Sequence, residues 1–363
     1  MSNNHYYGQS PGRPSGVPVR RRTPARAQKR NIPVPLLIVI YLLAAALLLL
    51  IFYLTNIAFH SESGPLDSLP EPSSSVSASP AGSSPATSAG VSSSPLASST
   101  ASSSPAAIDP NNWGAKYADK FAKGAVEKTE NSYKSANISV TIEKVQKEKL
   151  TYYVADIYIA ELKYFKTAFA KKPEKMGYIA PTTTTAKQHN AIIAINGDYC
   201  LNNAGIIIRN GKVYDKDRTS SDQLVMYYDG TMKAFSPEEI TYEQLKADGA
   251  WQVWSFGPML LNDGKAPTEY NLPQAIGGAN PRTALGYYAP GHYCFVVVDG
   301  RQGSYSEGLT LSEMSELFSG LGCKVAFNLD GGQTSEMALY GEFVNQPYHD
   351  GRSCSDIVYI ADE

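Results

Sequence analysis

The sequence is poor in the residues that metal and nucleophile chemistry depend on. Its 363 residues include 4 cysteines and 5 histidines, with no Cys-x-x-Cys spacing and no Cys/His pairing of the kind that holds zinc, so a zinc site is not indicated. From residue 111 onward there is no Gly-x-Ser-x-Gly elbow, and His189, His292 and His349 have no recognisable catalytic partners, which removes support for serine or cysteine nucleophile schemes. Neither a dinucleotide fingerprint nor a P-loop occurs. There is no internal repeat at solenoid periods. The net charge is only −2 and the C-terminal region is not basic, so no nucleic-acid partner is expected. Acidic residues are missing altogether before Glu62.

What is present falls into three unlike stretches. Residues 1–35 form a basic arm, expected to be disordered, whose charged side chains are Arg13, Arg20, Arg21, Arg22, Arg26, Lys29 and Arg30. From Leu36 to Leu54 runs an uncharged stretch of Leu, Ile, Val, Ala, Tyr and Phe. At about 1.5 Å per residue it is long enough to cross about 30 Å of hydrocarbon. It is longer than the apolar region of a typical signal peptide and lies behind a long basic arm, so residues 36–56 are expected to form an uncleaved transmembrane helix. Basic residues before the span, and Glu62, Asp67 and Glu71 after it, put the N-terminus in the cytoplasm and the rest of the chain outside. Residues 57–110 are mostly Ser, Ala and Pro, which bury too little apolar surface to offset the entropy of ordering; they read as a disordered, fairly extended linker. A bacterial wall-spanning tether and an O-glycosylated stalk fit that composition equally.

Residues 111–363 restore the aromatic residues, tyrosine above all, and are long enough to bury a sizeable core. The pattern predicts strands over 138–145, 151–160, 191–195, 205–208, 224–228, 283–288, 292–298, 324–327 and 356–360, with helices near 237–247 and 310–321. Strand, helix and strand through 293–327 read as one βαβ crossover, and the rest as hairpins. The expected fold class is therefore α+β, with a mixed sheet, hairpins and at least one βαβ crossover, preceded by one transmembrane helix and a disordered linker. Cys200, Cys294, Cys323 and Cys354 all fall in this region; three disulfide connectivities, including a Cys200–Cys354 staple, and free buried thiols are all compatible with it.

Polar clusters recur at the ends of these strands: Asn196 to Tyr199, Asn280 to Thr283, Asp299 to Gln302, Asn328 to Ser335, and Gly351 to Asp356. Asp-Gly occurs six times and is a common tight-turn dipeptide; Asp229-Gly230, Asp263-Gly264 and Asn210-Gly211 read as hairpin turns. Asp299 and Asp330 differ because each follows an apolar strand and is crowded by polar neighbours. After Val325-Ala326-Phe327 come an amide, a carboxylate, two glycines and two hydroxyls, a combination suited to a sugar or phosphate rather than to a core.

In order as well as in motif, these clusters resemble the phosphodiester glycosidase family, which includes the mannose 6-phosphate uncovering enzyme and bacterial exopolysaccharide-associated proteins. The residues that carry the resemblance are Asn196-Gly197, Arg282-Thr-Ala-Leu-Gly286, Asp299-Gly300, Gly308-Leu-Thr-Leu-Ser-Glu-Met314, Asn328-Leu-Asp-Gly-Gly332 and Arg352, covering about 191–360. The commonest family form continues Gly-Ser after the paired glycines, whereas this chain has Gln333-Thr334; a hydroxyl survives at the second position, so the departure bears on substrate preference more than on reaction class.

The resemblance implies hydrolysis of a sugar-1-phosphodiester in a cell-envelope or exopolysaccharide glycan. Glycoside cleavage normally uses two carboxylates, and the assignment drawn from the resemblance makes Asp330 nucleophile or base and Glu313 the acid, with Asp299 orienting or replacing either. Asp198 is a further candidate. A diester anion calls for the planar donor fork of arginine, with Arg282 first, Arg352 second and Arg301 third. Asn196 and Asn328 are placed to bind sugar hydroxyls or to hold loops, Gly331 and Gly332 to offer N–H groups to phosphate, and Thr334 completes the substrate-binding set. No cofactor is expected, with a divalent cation left open, and the oligomeric state is not fixed. Two other classes share some of these features: a glycopolymer phosphotransferase and a non-catalytic polysaccharide-binding module.

Overall fold

The computed structural model describes residues 112–362 apart from 173–174, 202–204, 218–219 and 271, together with 43–44, 46–47, 65 and 67–68. The expected arm, membrane span and linker lie outside the described residues except at those few positions. Among the described residues no helix is long and apolar enough to cross a membrane.

Among the described residues, three sheets form the body of the fold. The largest has eight strands in the spatial order Met259–Leu261, Val325–Asn328, Arg282–Ala289, His292–Val298, Leu150–Ile159, Ile138–Lys147, Ser132–Lys134 and Glu127–Lys128. A five-stranded sheet runs Glu342–Phe343, Met337–Leu339, Ile193–Asn196, Asp356–Ile360 and Phe165–Phe169. A six-stranded sheet contains Asp67–Ser68, Lys212–Lys216, Ile206–Arg209, Ala250–Phe256, Asp222–Tyr227 and Met232–Phe235. Each named pairing in them is antiparallel.

That corrects the expected mixed sheet. The chain does pass from His292–Val298 through the helix Leu311–Gly320 to Val325–Asn328, and those two strands run the same way. They do not pair, because Arg282–Ala289 lies between them, antiparallel to both. A tight turn with Gly291 at φ +85° folds Arg282–Ala289 back on His292–Val298 as a hairpin, and the hairpin takes the edge that a βαβ unit would have used. The protein is mostly β with few helices.

Alternation along His292–Val298 shows how the layers are built. Tyr293, Phe295 and Val297 enter the main core with Phe165, Ile193, Ile195, Val358 and Ile360 from the five-stranded sheet. Cys294, Val296 and Val298 point the other way, where Leu311, Met314 and Phe318 of the helix cover them. A strand with both faces buried reads as a continuous apolar run, and each helix side chain at that 3.6-residue spacing contributes about 1.5–3 kcal/mol by leaving water. The Asn210-Gly211 turn, with both residues at positive φ of 50° and 72°, closes Ile206–Arg209 on Lys212–Lys216 as expected of a tight hairpin. All four cysteines are free and buried.

Candidate active site

Antiparallel register decides which side chains meet. Arg282 opens its strand opposite Val298, and Ala284 faces Asn328, so the start of one strand and the ends of both its neighbours share one edge. Onto that edge open a cavity of about 650 Å³ whose walls include Arg282, Arg301, Asn328, Asp330, Gly331, Gly332 and Arg352. Asp222, at the head of the six-stranded sheet's Asp222–Tyr227 strand, joins the same cavity, with Asn280, Phe256, Pro258, Leu272 and Ile276.

Asp330 is 8% exposed and its carboxylate is held by three donors. Thr334 Oγ1 donates to Oδ2 at 2.7 Å, Arg352 Nη2 to the same oxygen at 2.9 Å, and the Gly331 N–H to Oδ1 at 2.9 Å. Burial raises its pKa above the ordinary aspartate value, while Thr334, Arg352 and Gly331 pull it back. Burial prevails because the Arg352 side chain is 44% exposed and its charge is partly screened by solvent.

Arg282 and Arg301 line the cavity with no carboxylate partner among the described residues. Arg282 is buried; its Nε donates to the Leu309 carbonyl at 3.0 Å, and its Nη2 to the carbonyls of Ile276 at 2.6 Å and Gly278 at 2.7 Å. Arg301 donates through Nε and Nη2 to Asn280 Oδ1 at 3.0 and 2.8 Å. Burial first, and then the charge of Arg301, lowers the Arg282 pKa to about 10, so it stays cationic at neutral pH without an anion to balance it. Gly332 sits at φ +68°, and a Cβ there would come within 3.2 Å of Arg301 Nη1; glycine serves both needs.

The other sequence candidates take different places. Asn328 lines the cavity, its Nδ2 donating to the Gly257 carbonyl at 2.9 Å, while its buried Oδ1 has no partner among the described residues. Asn196 is wholly buried: Nδ2 donates to the Asp330 carbonyl at 2.7 Å and Oδ1 accepts from Thr283 Oγ1 at 2.7 Å, so it holds the Asp330 loop and does not line the cavity. Thr334 is likewise buried and acts on Asp330. The N–H groups of Gly331 and Gly332 are engaged, the first by Asp330 and the second by the Pro281 carbonyl at 2.9 Å, and neither is left over for a phosphate.

Glu313 and Asp299 do not join the cavity. Glu313 is exposed at the third position of its helix, where Oε2 accepts from the Thr310 N–H at 2.8 Å and the Thr310 hydroxyl caps the helix in return. Leu311, Met314 and Phe318 of the same helix are buried, whereas Glu313 faces solvent. Asp299 is buried and fully engaged, accepting from Asn345 Nδ2 at 2.7 Å, the Tyr305 hydroxyl at 2.8 Å and the Gln346 N–H at 3.1 Å.

Asp198 belongs to a separate buried cluster. Arg209 Nη2 lies 2.7 Å from Asp198 Oδ1 and 3.1 Å from Asp356 Oδ2. Asp198, Cys200 and Asp356 bring three ligand-type atoms within 4.8 Å of one another, but the carboxylates already bind Arg209, which makes this an ion-pair network. Burial and the charge of Asp198 push the Asp356 pKa up to about 7.

Sequence reasoning missed Asp222, Glu336 and Arg209. Asp222 is half-buried with a raised pKa, burial being the main cause, and its Oδ2 accepts from the Met259 N–H at 2.8 Å. It opens an apolar strand, whereas Asp299 and Asp330, legible in the sequence, each follow one. Glu336 is buried and accepts from the Arg352 N–H at 2.9 Å, fixing the loop that carries Arg352. Arg209 ends an apolar strand, a signal that the adjoining Asn-Gly turn concealed.

The described residues thus form a cationic, carboxylate-bearing cavity at the strand ends of an antiparallel sheet assembly. Residues 189–361 match the family model described as phosphodiester glycosidase. The chain is 34% identical over 168 residues to the SPbeta prophage-derived uncharacterized protein YomE of Bacillus subtilis (strain 168), a match covering 44% of this chain and 26% of that one. The chain thus spans about a quarter of the length of that relative. Its fold is similar to the catalytic domain of zebrafish N-acetylglucosamine-1-phosphodiester alpha-N-acetylglucosaminidase, auto-inhibited by its pro-peptide in that structure, with a TM-score of 0.53 and 19% identity over 66% of this chain and 87% of that one.

Proposed function

We propose that the protein hydrolyses glycosyl phosphodiesters, breaking the bond between the anomeric carbon and the bridging oxygen. The observation that carries this reading is the pair Arg282 and Arg301: two guanidinium groups at the cavity wall that bind only neutral acceptors, beside a carboxylate already balanced by Arg352. In the reaction the bridging oxygen leaves with the bond's electron pair, so the phosphate passes from one negative charge to a monoester carrying nearly two. The second ionisation of such a monoester lies near pH 6, which makes it a good leaving group that needs nearby cations more than a proton. Cations fixed in advance where that charge develops stabilise the transition state beyond the ground state. Asp330 then acts as base toward the attacking water, or as the nucleophile, and Asn328 Oδ1 is a buried acceptor suited to a sugar hydroxyl. Asp222 is the second carboxylate of the cavity. The reading requires no cofactor.

The same reading places the domain outside the membrane, tethered by residues 36–56 and the 57–110 linker, in contact with envelope or exopolysaccharide glycans. Support comes from the uncharged run and the charge asymmetry around it. Protease digestion of intact cells should remove the C-terminal domain while leaving the basic arm protected.

Hydrolysis of N-acetylglucosaminyl phosphodiesters or a wall glycopolymer in oxygen-18 water tests the chemistry. Label on the released sugar is expected. Label on the phosphate instead would place the cleavage at phosphorus and overturn the glycosidase assignment.

A further inference from the structure

The part of the substrate beyond the phosphate also has a place in this structure. Leu272 and Ile276 are 40% and 52% exposed, although both are large aliphatic side chains, and both line the cavity. Their segment is positioned by the same arginine that faces the cavity, because Arg282 Nη2 donates to the carbonyl oxygens of Ile276 and Gly278. A phosphate held by Arg282 therefore has these side chains for neighbours. Next to this cavity a smaller one of about 230 Å³ shares Asp222, Pro258 and Leu272 with it and is otherwise walled by Met259, Pro267, Glu269 and Tyr270. The Tyr270 hydroxyl is already engaged, 3.2 Å from the Met259 carbonyl and 2.6 Å from Ser315 Oγ, and Asp222 Oδ2 accepts from the Met259 N–H at 2.8 Å, so two of the polar side chains here are already bonded within the protein. The carboxylates of Asp222 and Glu269 disfavour a second phosphate.

We propose that this apolar annex receives an alkyl-chain alcohol esterified to the phosphate, so that the preferred substrates are glycosyl phosphodiesters of an aliphatic carrier. The assignment rests on the phosphate-binding role of Arg282 given above and adds the chemical class of the carrier. Leu272 and Ile276 supply the apolar face that a chain leaving the phosphate meets first, and Pro258, Met259 and Pro267 extend it. Apolar side chains exposed together beside a polar site are a recognised mark of a ligand groove.

Binding of simple phosphate monoesters separates the two layers of this reading, because it requires neither turnover nor the right sugar. The full chain is titrated calorimetrically with methyl, butyl and hexyl phosphate and with glycerol 1-phosphate. Affinity is expected to rise by about two- to fourfold for each methylene that is buried, with glycerol phosphate no tighter than methyl phosphate. Leu272→Ser and Ile276→Ser should flatten the chain-length dependence; both positions are partly exposed, so neither change opens a hole in the core. Arg282→Gln should weaken all four ligands together. Equal affinity for the three alkyl phosphates in the native protein overturns the apolar subsite while leaving the phosphate site standing. Methyl phosphate binding unaffected by Arg282→Gln overturns the phosphate site and the subsite with it.

Discussion

At Asp330 the balance between burial and hydrogen bonding decides whether the carboxylate is available as a base. Asp330→Asn keeps the size and most contacts of the side chain but removes the proton acceptor, so turnover is expected to fall by about 100- to 10,000-fold while substrate affinity stays within a few fold. A polysaccharide-binding module would keep its ligand and show no turnover to lose; equal turnover in variant and native protein would dismiss Asp330 as the reacting group. Arg352 stabilises the ionised form of Asp330. Removing it raises the pKa further, and Arg352→Gln should move the acidic limb of the kcat/KM profile to higher pH, with Arg352→Lys restoring part of the shift. Thr334→Val should act in the same direction, since its hydroxyl also donates to Oδ2. An acidic limb that stays in place in both variants would show that another group sets it.

Among the elements, the helix Leu311–Gly320 shows most directly how a motif can mislead. Thr310 and Glu313 form a reciprocal capping box, and a Thr-x-x-Glu sequence ahead of an apolar run is the expected signature of one. Glu313→Ala should cost about 1 kcal/mol of stability and leave turnover unchanged; chemical denaturation and a rate assay on the same sample read both, and a hundredfold loss of rate would contradict the structural placement. Most strands were legible because their apolar alternation is strong, as in His292–Val298. Ala250–Phe256 was not, because Gln252 and Ser255 interrupt its apolar pattern. Both are buried since the fold provides partners that the local sequence does not reveal: Gln252 accepts from Thr167 Oγ1 at 2.9 Å and from the Asn210 N–H at 2.9 Å. The site followed the same rule. Arg282, Arg301, Arg352, Asn328 and Asp330 stand beside apolar strands and line the cavity, yet which of the acidic candidates meet there depends on register and on three sheets converging. Asp222 enters from a sheet whose packing against the others leaves no trace in its own neighbourhood.

Across the whole molecule, the buried network of Asp198, Arg209 and Asp356 ties the six-stranded sheet, which carries Arg209, to the five-stranded sheet, which carries Asp356. Two carboxylates share one guanidinium there, so the network holds an excess negative charge whenever both are ionised. Arg209→Met would leave both carboxylates without their cation and should cost about 3–5 kcal/mol. The pH dependence follows from Asp356, whose pKa is pushed from the ordinary 3.8 up to about 7 in the folded chain. Between those values the folded state binds more protons than the unfolded state, so this group makes stability fall as pH rises from about 4 to 7. His189 works in the opposite sense: burial lowers its pKa from 6.5 to about 4, so the unfolded state binds the extra proton and stability rises with pH over that range. The two effects partly cancel in the native protein, and the contribution of Asp356 is isolated by comparing it with Asp356→Asn, which leaves Arg209 paired one to one with Asp198. The Tm of the native protein minus that of the variant should decrease steadily from pH 4 to pH 7, and a difference that stays flat across the window would show that Asp356 is ionised throughout it.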